Sequence, residues 1–135
     1  MSYSGTLTIL LLDDSRAIRQ LLRRTPETRP YRVIEASSAN QAWALLAVER
    51  PALVLMEMRL AGPDPLEICR TLRRDERLPQ TRILVLTTMA GDEGRRRALE
   101  AGADEVMAKP FHPAQLVASV DRLVRAGDDL HRQRA

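Results

Sequence analysis

The run Leu53-Val54-Leu55-Met56-Glu57-Met58 restricts this chain more than any other stretch. Its successive apolar side chains leave no polar face, the pattern of a strand covered on both sides in a parallel sheet. A carboxylate within such a strand is costly to desolvate unless it stands at the end, facing partners. The segment beyond, Arg59 and then Ala61-Gly62-Pro63-Asp64-Pro65, is turn chemistry. Glu57 is therefore placed at the carboxyl end of a central strand, where open α/β sheets gather ligands.

The rest of the chain repeats this strand-and-helix unit. Residues 6–12 read as an aliphatic strand running into Asp13-Asp14. Ser15 caps a helix whose apolar positions Ile18, Leu21 and Leu22 recur at helical spacing before Pro26. Residues 31–36 form a second strand, and residues 37–40 open a helix that Pro51 stops. Asp64-Pro65-Leu66-Glu67 is a helix start, with Asp as cap, Pro at the first helical position and Glu at the third. Strands are expected over residues 82–87 and 104–108. Further helices run over 91–101 and from His112-Pro113 through Val124. Strands alternating with helices in this way imply an α/β fold, a single doubly wound five-stranded parallel sheet with five helices, and the strand order expected for it is the flavodoxin-like 2-1-3-4-5. The domain is expected over residues 1–126, and 127–135 read as a polar C-terminal tail with no core to join.

A chain of 135 residues supports a core without staples. The lone Cys69 excludes an internal disulfide and fits a reducing compartment. Residues 1–12 lack the basic start of a signal peptide, and no apolar run is long enough to span a membrane, so the chain reads as cytoplasmic. The net charge of +3 and a pI near 9.7 raise the question of nucleic acid. The charge is spread over many segments, however, and at 3% the aromatics are too few to stack bases, so no direct nucleic-acid role is assigned. One departure inside the basic set is informative. Every basic side chain that is always charged is Arg except Lys109, and the two types differ most where a compact point charge must fit a tight site.

The expected strand order brings Asp13, Asp14, Glu57, Thr87 and Lys109 to the carboxyl ends of neighbouring strands, around one crevice. Clustered carboxylates favour a hard dication, and oxygen ligands with waters suit Mg²⁺. A hydroxyl and an ammonium opposite the metal would meet the equatorial oxygens of a phosphoryl group. Each part alone has a purely structural explanation: a helix cap, a strand end, a turn. Their convergence at the ends of strands one, three, four and five does not.

At these residues the chain resembles the receiver domain of two-component response regulators, across roughly residues 6–126. The motifs are Leu12-Asp13-Asp14-Ser15, residues 51–57, Leu86-Thr87, and Ala101-Gly102-Ala103-Asp104-Glu105 running to Lys109-Pro110-Phe111. In such domains a histidine kinase's phosphoryl group moves, with Mg²⁺, to an aspartate ending the third strand. The resemblance makes Asp13 and Asp14 metal carboxylates, with Glu57 and the backbone carbonyl of Arg59 as further ligands. It makes Thr87 the switch hydroxyl and Lys109 the phosphoryl-binding ammonium, and it implies a cis Lys109-Pro110 peptide. It also implies as partners a histidine kinase or phosphotransferase and a downstream target protein. The fourth helix, fifth strand and fifth helix would be the face for a homodimer.

The chain departs from that pattern where it matters most. Glu57 stands in the place of the phosphoacceptor aspartate, and its extra methylene displaces the carboxylate when productive geometry tolerates errors of only about 0.5 Å. The expected outcomes are weak or absent phosphorylation and either a constitutive imitation of the phosphorylated state or an inert site in which Glu57 neutralises Lys109. Thr88 follows Thr87 where the family prefers a small residue. Val106 replaces an aromatic that swings with the switch hydroxyl, Ala61 a proline, and Pro65 a glycine. Arg59 is positioned to compete with a metal, which points to weak Mg²⁺ binding. Arg95-Arg96-Arg97 read as a solvated helix face, and His112 as a cap of the last helix.

Two other classes compete with a non-enzymatic signalling module. A Mg²⁺-dependent phosphatase with an aspartyl nucleophile needs Asp-x-Asp after the first strand, and the adjacent pair Asp13-Asp14 has the wrong spacing. A nucleotide or flavin binder needs a glycine-rich phosphate loop at a place where this chain has acids.

Overall fold

In the computed structural model, residues 7–13, 15–24, 31–58, 66–76, 81–88 and 92–134 are described. Strands and helices alternate: β1 (Leu7–Leu12), α1 (Arg16–Arg24), β2 (Tyr31–Ala36), α2 (Ala39–Glu49), β3 (Leu53–Glu57), α3 (Leu66–Arg74), β4 (Arg82–Thr87), α4 (Asp92–Ala101), β5 (Glu105–Ala108) and α5 (Pro113–Arg134). The strands form a single parallel sheet in the expected order, β2-β1-β3-β4-β5.

The alternation of side chains along each strand explains why these runs carry no polar face. Leu10, Leu12, Val54, Met56, Ile83 and Val85 point to one side, where α2, α3 and α4 cover them with Leu46, Leu72 and Ala98. Ile9, Leu11, Leu53, Leu55, Leu84 and Leu86 point to the other, beneath Ile18 and Leu22 of α1 and Leu116, Val120 and Val124 of α5. Each fully buried side chain of this size stabilises the fold by about 1.5–3 kcal/mol before cavity effects. The sheet is thus the shared wall of two cores.

Local chemistry sets the helix starts. Ser15 Oγ accepts from Ile18 N at 3.2 Å ahead of α1. Ser38, extended at φ −153°, accepts from Gln41 N ahead of α2, while Gln41 Oε1 accepts from Ser37 N at 2.8 Å. His112 Nδ1 accepts from Ala114 N at 3.2 Å, the capping role expected of it. Gly102, at φ +118°, closes α4: its N–H reaches Leu99 O and that of Ala103 reaches Ala98 O, each at 3.1 Å, the Schellman pattern.

Some boundaries differ from those expected. β5 starts at Glu105 rather than Asp104, whose carboxylate instead accepts from Ile83 N at 2.7 Å and pairs with Arg73 and Arg82. α5 does not stop before Gly127 but continues to Arg134, through most of the stretch read as a polar tail. A single interior glycine costs a helix only about 1 kcal/mol relative to alanine, too little to end one that is already packed. The expected start of β1 at Thr6, the Asp64-Pro65 helix start, Pro26 and Gly91 lie outside the described residues. Among the described residues, no helix is long and apolar enough to cross a membrane.

Candidate functional site

The register fixes the site. Leu12 pairs with Met56, so Asp13 stands level with Glu57 on the adjoining strand. Glu57 pairs with Leu86, and Thr87 one residue on pairs with Ala108, immediately before Lys109. Lys109 N donates to Thr87 O at 2.8 Å, which ties the start of the last loop to the tip of β4. The Lys109-Pro110 peptide is cis, as the resemblance implied. Along their strands Asp13, Glu57 and Lys109 share the parity of Leu11, Leu55 and Met107, the face covered by α1 and α5.

These side chains meet. Lys109 Nζ lies 2.9 Å from Glu57 Oε2 and 3.5 Å from Asp13 Oδ2. Glu57 is 0% and Asp13 4% exposed, while the lysine side chain keeps 21% of its surface in solvent. The Glu57 contact is an ion pair rather than an aligned hydrogen bond. The ammonium offsets the charge of a carboxylate so placed, which would otherwise be costly to bury. Asp13 also shapes the turn into α1, where its Oδ1 accepts from Ser15 N at 2.6 Å. Thr87 is 3% exposed at the end of β4 and joins the group through its backbone.

Asp14 and Arg59, expected as metal ligands, lie outside the described residues, as do Ala61 and Pro65. Among the described residues no three acidic, histidine or cysteine groups converge as a metal cluster. The two described carboxylates do converge, but on the ammonium of Lys109. Hard oxygen donors of this kind suit Mg²⁺, which would have to share them with that cation.

The neighbouring departures find clear places. Val106 is buried in the α2–α4 core at 5% exposure, and its carbonyl accepts from Arg95 Nη1 at 3.1 Å. Sequence reasoning misses this bond, because an arginine within an arginine run carries no signal of its own. Arg96 pairs with Glu93 and Glu100 of its own helix, as a solvated face would. Thr88 is exposed and lines a groove with Lys109 and Phe111. Cys69 is buried, and burial pushes its thiol up to about 11, so it offers no nucleophile.

A family profile for the response regulator receiver domain matches residues 9–121. The phosphate regulon transcriptional regulatory protein PhoB of Pseudomonas aeruginosa is 35% identical over 118 residues, which are 87% of this chain and 52% of PhoB. The response regulator MprA of Mycolicibacterium vanbaalenii is 39% identical over 118 residues, 87% of this chain and 50% of MprA. The chain thus spans about half the length of the curated relatives it matches. Among solved structures, the chemotaxis response regulator CheY4 of Vibrio cholerae superposes with a TM-score of 0.75 at 26% identity, over 88% of this chain and 99% of that one. The BeF3-activated receiver domain of Klebsiella pneumoniae RstA does so with a TM-score of 0.73 at 28% identity, over 87% and 98%.

Proposed function

The chain belongs to the response regulator receiver domain family, and from that premise we propose that it signals through protein contacts without carrying a phosphoryl group. The observation that carries this reading is the 2.9 Å pair between Glu57 and Lys109. In this reading Glu57 takes the acceptor position and Lys109 the ammonium that would bind phosphoryl oxygens. The longer side chain presents its carboxylate to that ammonium, so the cation is already satisfied by an anion of the protein's own. Thr87 keeps the place of the switch hydroxyl. The site is held in one anion-occupied state, a built-in partial imitation of the phosphorylated form.

Mg²⁺, where bound, would be held by Asp13, Asp14, Glu57 and the backbone carbonyl of Arg59, and would supply charge neutralisation at the carboxylates. Its binding is weak in this reading, because Lys109 already pairs with two of those groups and offsets one of their two charges. The partners are a histidine kinase or phosphotransferase, engaged by binding alone, and a downstream target. A second copy would meet the face of α4, β5 and α5. PhoB is named a transcriptional regulatory protein. An output of that kind would reside in the half of such relatives outside the match, and the receiver itself makes no direct contact with nucleic acid.

Intact mass after incubation with Mg²⁺ and acetyl phosphate tests the reading. The expected result is an unchanged mass for the wild type and a gain of one phosphoryl group for Glu57→Asp, which restores the shorter acceptor. Stoichiometric phosphoryl on Glu57 of the wild type would overturn it.

A further inference from the structure

Between α1 and the loop entering α5 lies a groove of ≈ 560 Å³ that shares Lys109 with the ion pair. Its apolar wall includes Ile18, Leu21 and Phe111, and its polar groups are Ser15, Thr88 and Lys109. A volume of this order falls in the range of small-molecule sites, as does a lining of apolar side chains with a few polar ones. The polar groups decide what the groove can hold. An ammonium has three N–H donors and no acceptor. Two directions at Lys109 Nζ face Glu57 at 2.9 Å and Asp13 at 3.5 Å, which leaves a third for a ligand. Ser15 Oγ accepts from Ile18 N and keeps its own O–H to donate. Thr88 adds an exposed hydroxyl.

The Ser15 and Thr88 hydroxyls can donate or accept, but Lys109 only donates, so a ligand atom seated against it must accept. An anionic head is opposed by Asp13 and Glu57, two carboxylates against one ammonium. A cationic head cannot accept and faces Lys109 directly. We infer that this groove binds a small neutral molecule with an apolar body and a carbonyl-type acceptor, seated against Ile18, Leu21 and Phe111 with its oxygen toward Lys109. Because Lys109 also holds Glu57, occupancy of the groove changes the environment of the acid pair. The inference rests on this geometry and stands whether or not Glu57 takes a phosphoryl group, so failure of either test leaves the other legible.

The experiment uses the full ¹⁵N-labelled chain and four phenylpropyl-type probes: benzylacetone (a neutral ketone), 3-phenylpropanoate, 3-phenylpropylammonium and propylbenzene. Benzylacetone is expected to shift the amides of Leu21, Thr88, Lys109 and Phe111 saturably. Its affinity should exceed that of each other probe by about five-fold, the worth of one hydrogen bond. Ala17→Trp, an exposed α1 position at the groove's edge, should abolish the shifts and leave the remaining spectrum folded. Equal or tighter binding of the anion, the cation or the hydrocarbon would overturn the proposal. So would shifts that Ala17→Trp leaves intact, the absence of saturable shifts, or concentration-dependent shifts at Leu21 and Phe111 without ligand, which would mean that a second copy fills the groove.

Discussion

Lys109 stands between two buried carboxylates, so the effect of removing it depends on what is left behind. Lys109→Met strands Glu57 and Asp13 without their cation, and chemical denaturation should show a loss of about 3 kcal/mol, the lower end for a broken buried pair because the lysine keeps some solvent. Combining it with Glu57→Leu removes one of the two uncompensated carboxylates and should recover part of that loss. A double variant as unstable as the single one would show that the pair is not what stabilises the site. Cys69 gives a second residue-scale test. Its thiol is pushed by burial from an ordinary 9.0 to about 11. At pH 8 the thiolate fraction is then about 100-fold lower than in the unfolded chain, and iodoacetamide labelling of the native protein should be slower by at least that factor. A folded pKa raised in this way contributes stability that is complete below pH 9 and is lost as pH rises toward 11. Cys69→Ala should flatten that part of the pH profile, and an unchanged slope would contradict it. Residues of this kind were legible in the sequence because they are chemically out of place: a carboxylate ending an apolar run, one lysine among arginines. Arg73 was not. Its guanidinium donates to Thr81 O at 2.6 Å and Gly102 O at 2.8 Å and pairs with Asp104, yet nothing in its local sequence separates it from Arg74.

Elements were legible where periodicity, caps and breakers agreed, as in β3, β4 and the start of α1. They were misjudged where a single residue was asked to decide a boundary. Gly127 does not end α5, because the packing of Leu116, Val120 and Val124 fixes the helix before the glycine is reached. Asp104 leaves β5 because its carboxylate has stronger partners across the sheet end, at Ile83 N, Arg73 and Arg82. Gly102 is different: at its φ of +118° a Cβ would stand only 2.5 Å from Arg73 Cγ, so another residue would be strained and would force Arg73 to shift. Gly102→Ala should cost about 1–3 kcal/mol by thermal or chemical unfolding, through backbone strain and displacement of the Arg73 clamp together. A neutral substitution would mean that the α4–β5 turn relaxes freely.

At the scale of the whole molecule, the doubly wound parallel fold followed from alternation, because only a sheet covered on both faces accommodates strands with no polar side, whereas the order 2-1-3-4-5 came with the flavodoxin-like reading. What alternation leaves open is distance. The sequence placed Asp13, Glu57 and Lys109 at the tips of different strands, and only the register shows that acid and amine touch. The same two-sided burial predicts that amides of β1, β3 and β4 exchange most slowly with solvent, near the global unfolding limit. Faster exchange there than in β2 or β5 would contradict the layered core. The central claim, that Glu57 holds Lys109, can be read most directly from the chain's one lysine side chain. Its ammonium should give a single ¹⁵N–¹H₃ resonance with slowed hydrogen exchange in the wild type, and Glu57→Gln should broaden or abolish it. The same rapidly exchanging signal in both proteins would show that Glu57 and Lys109 are not paired.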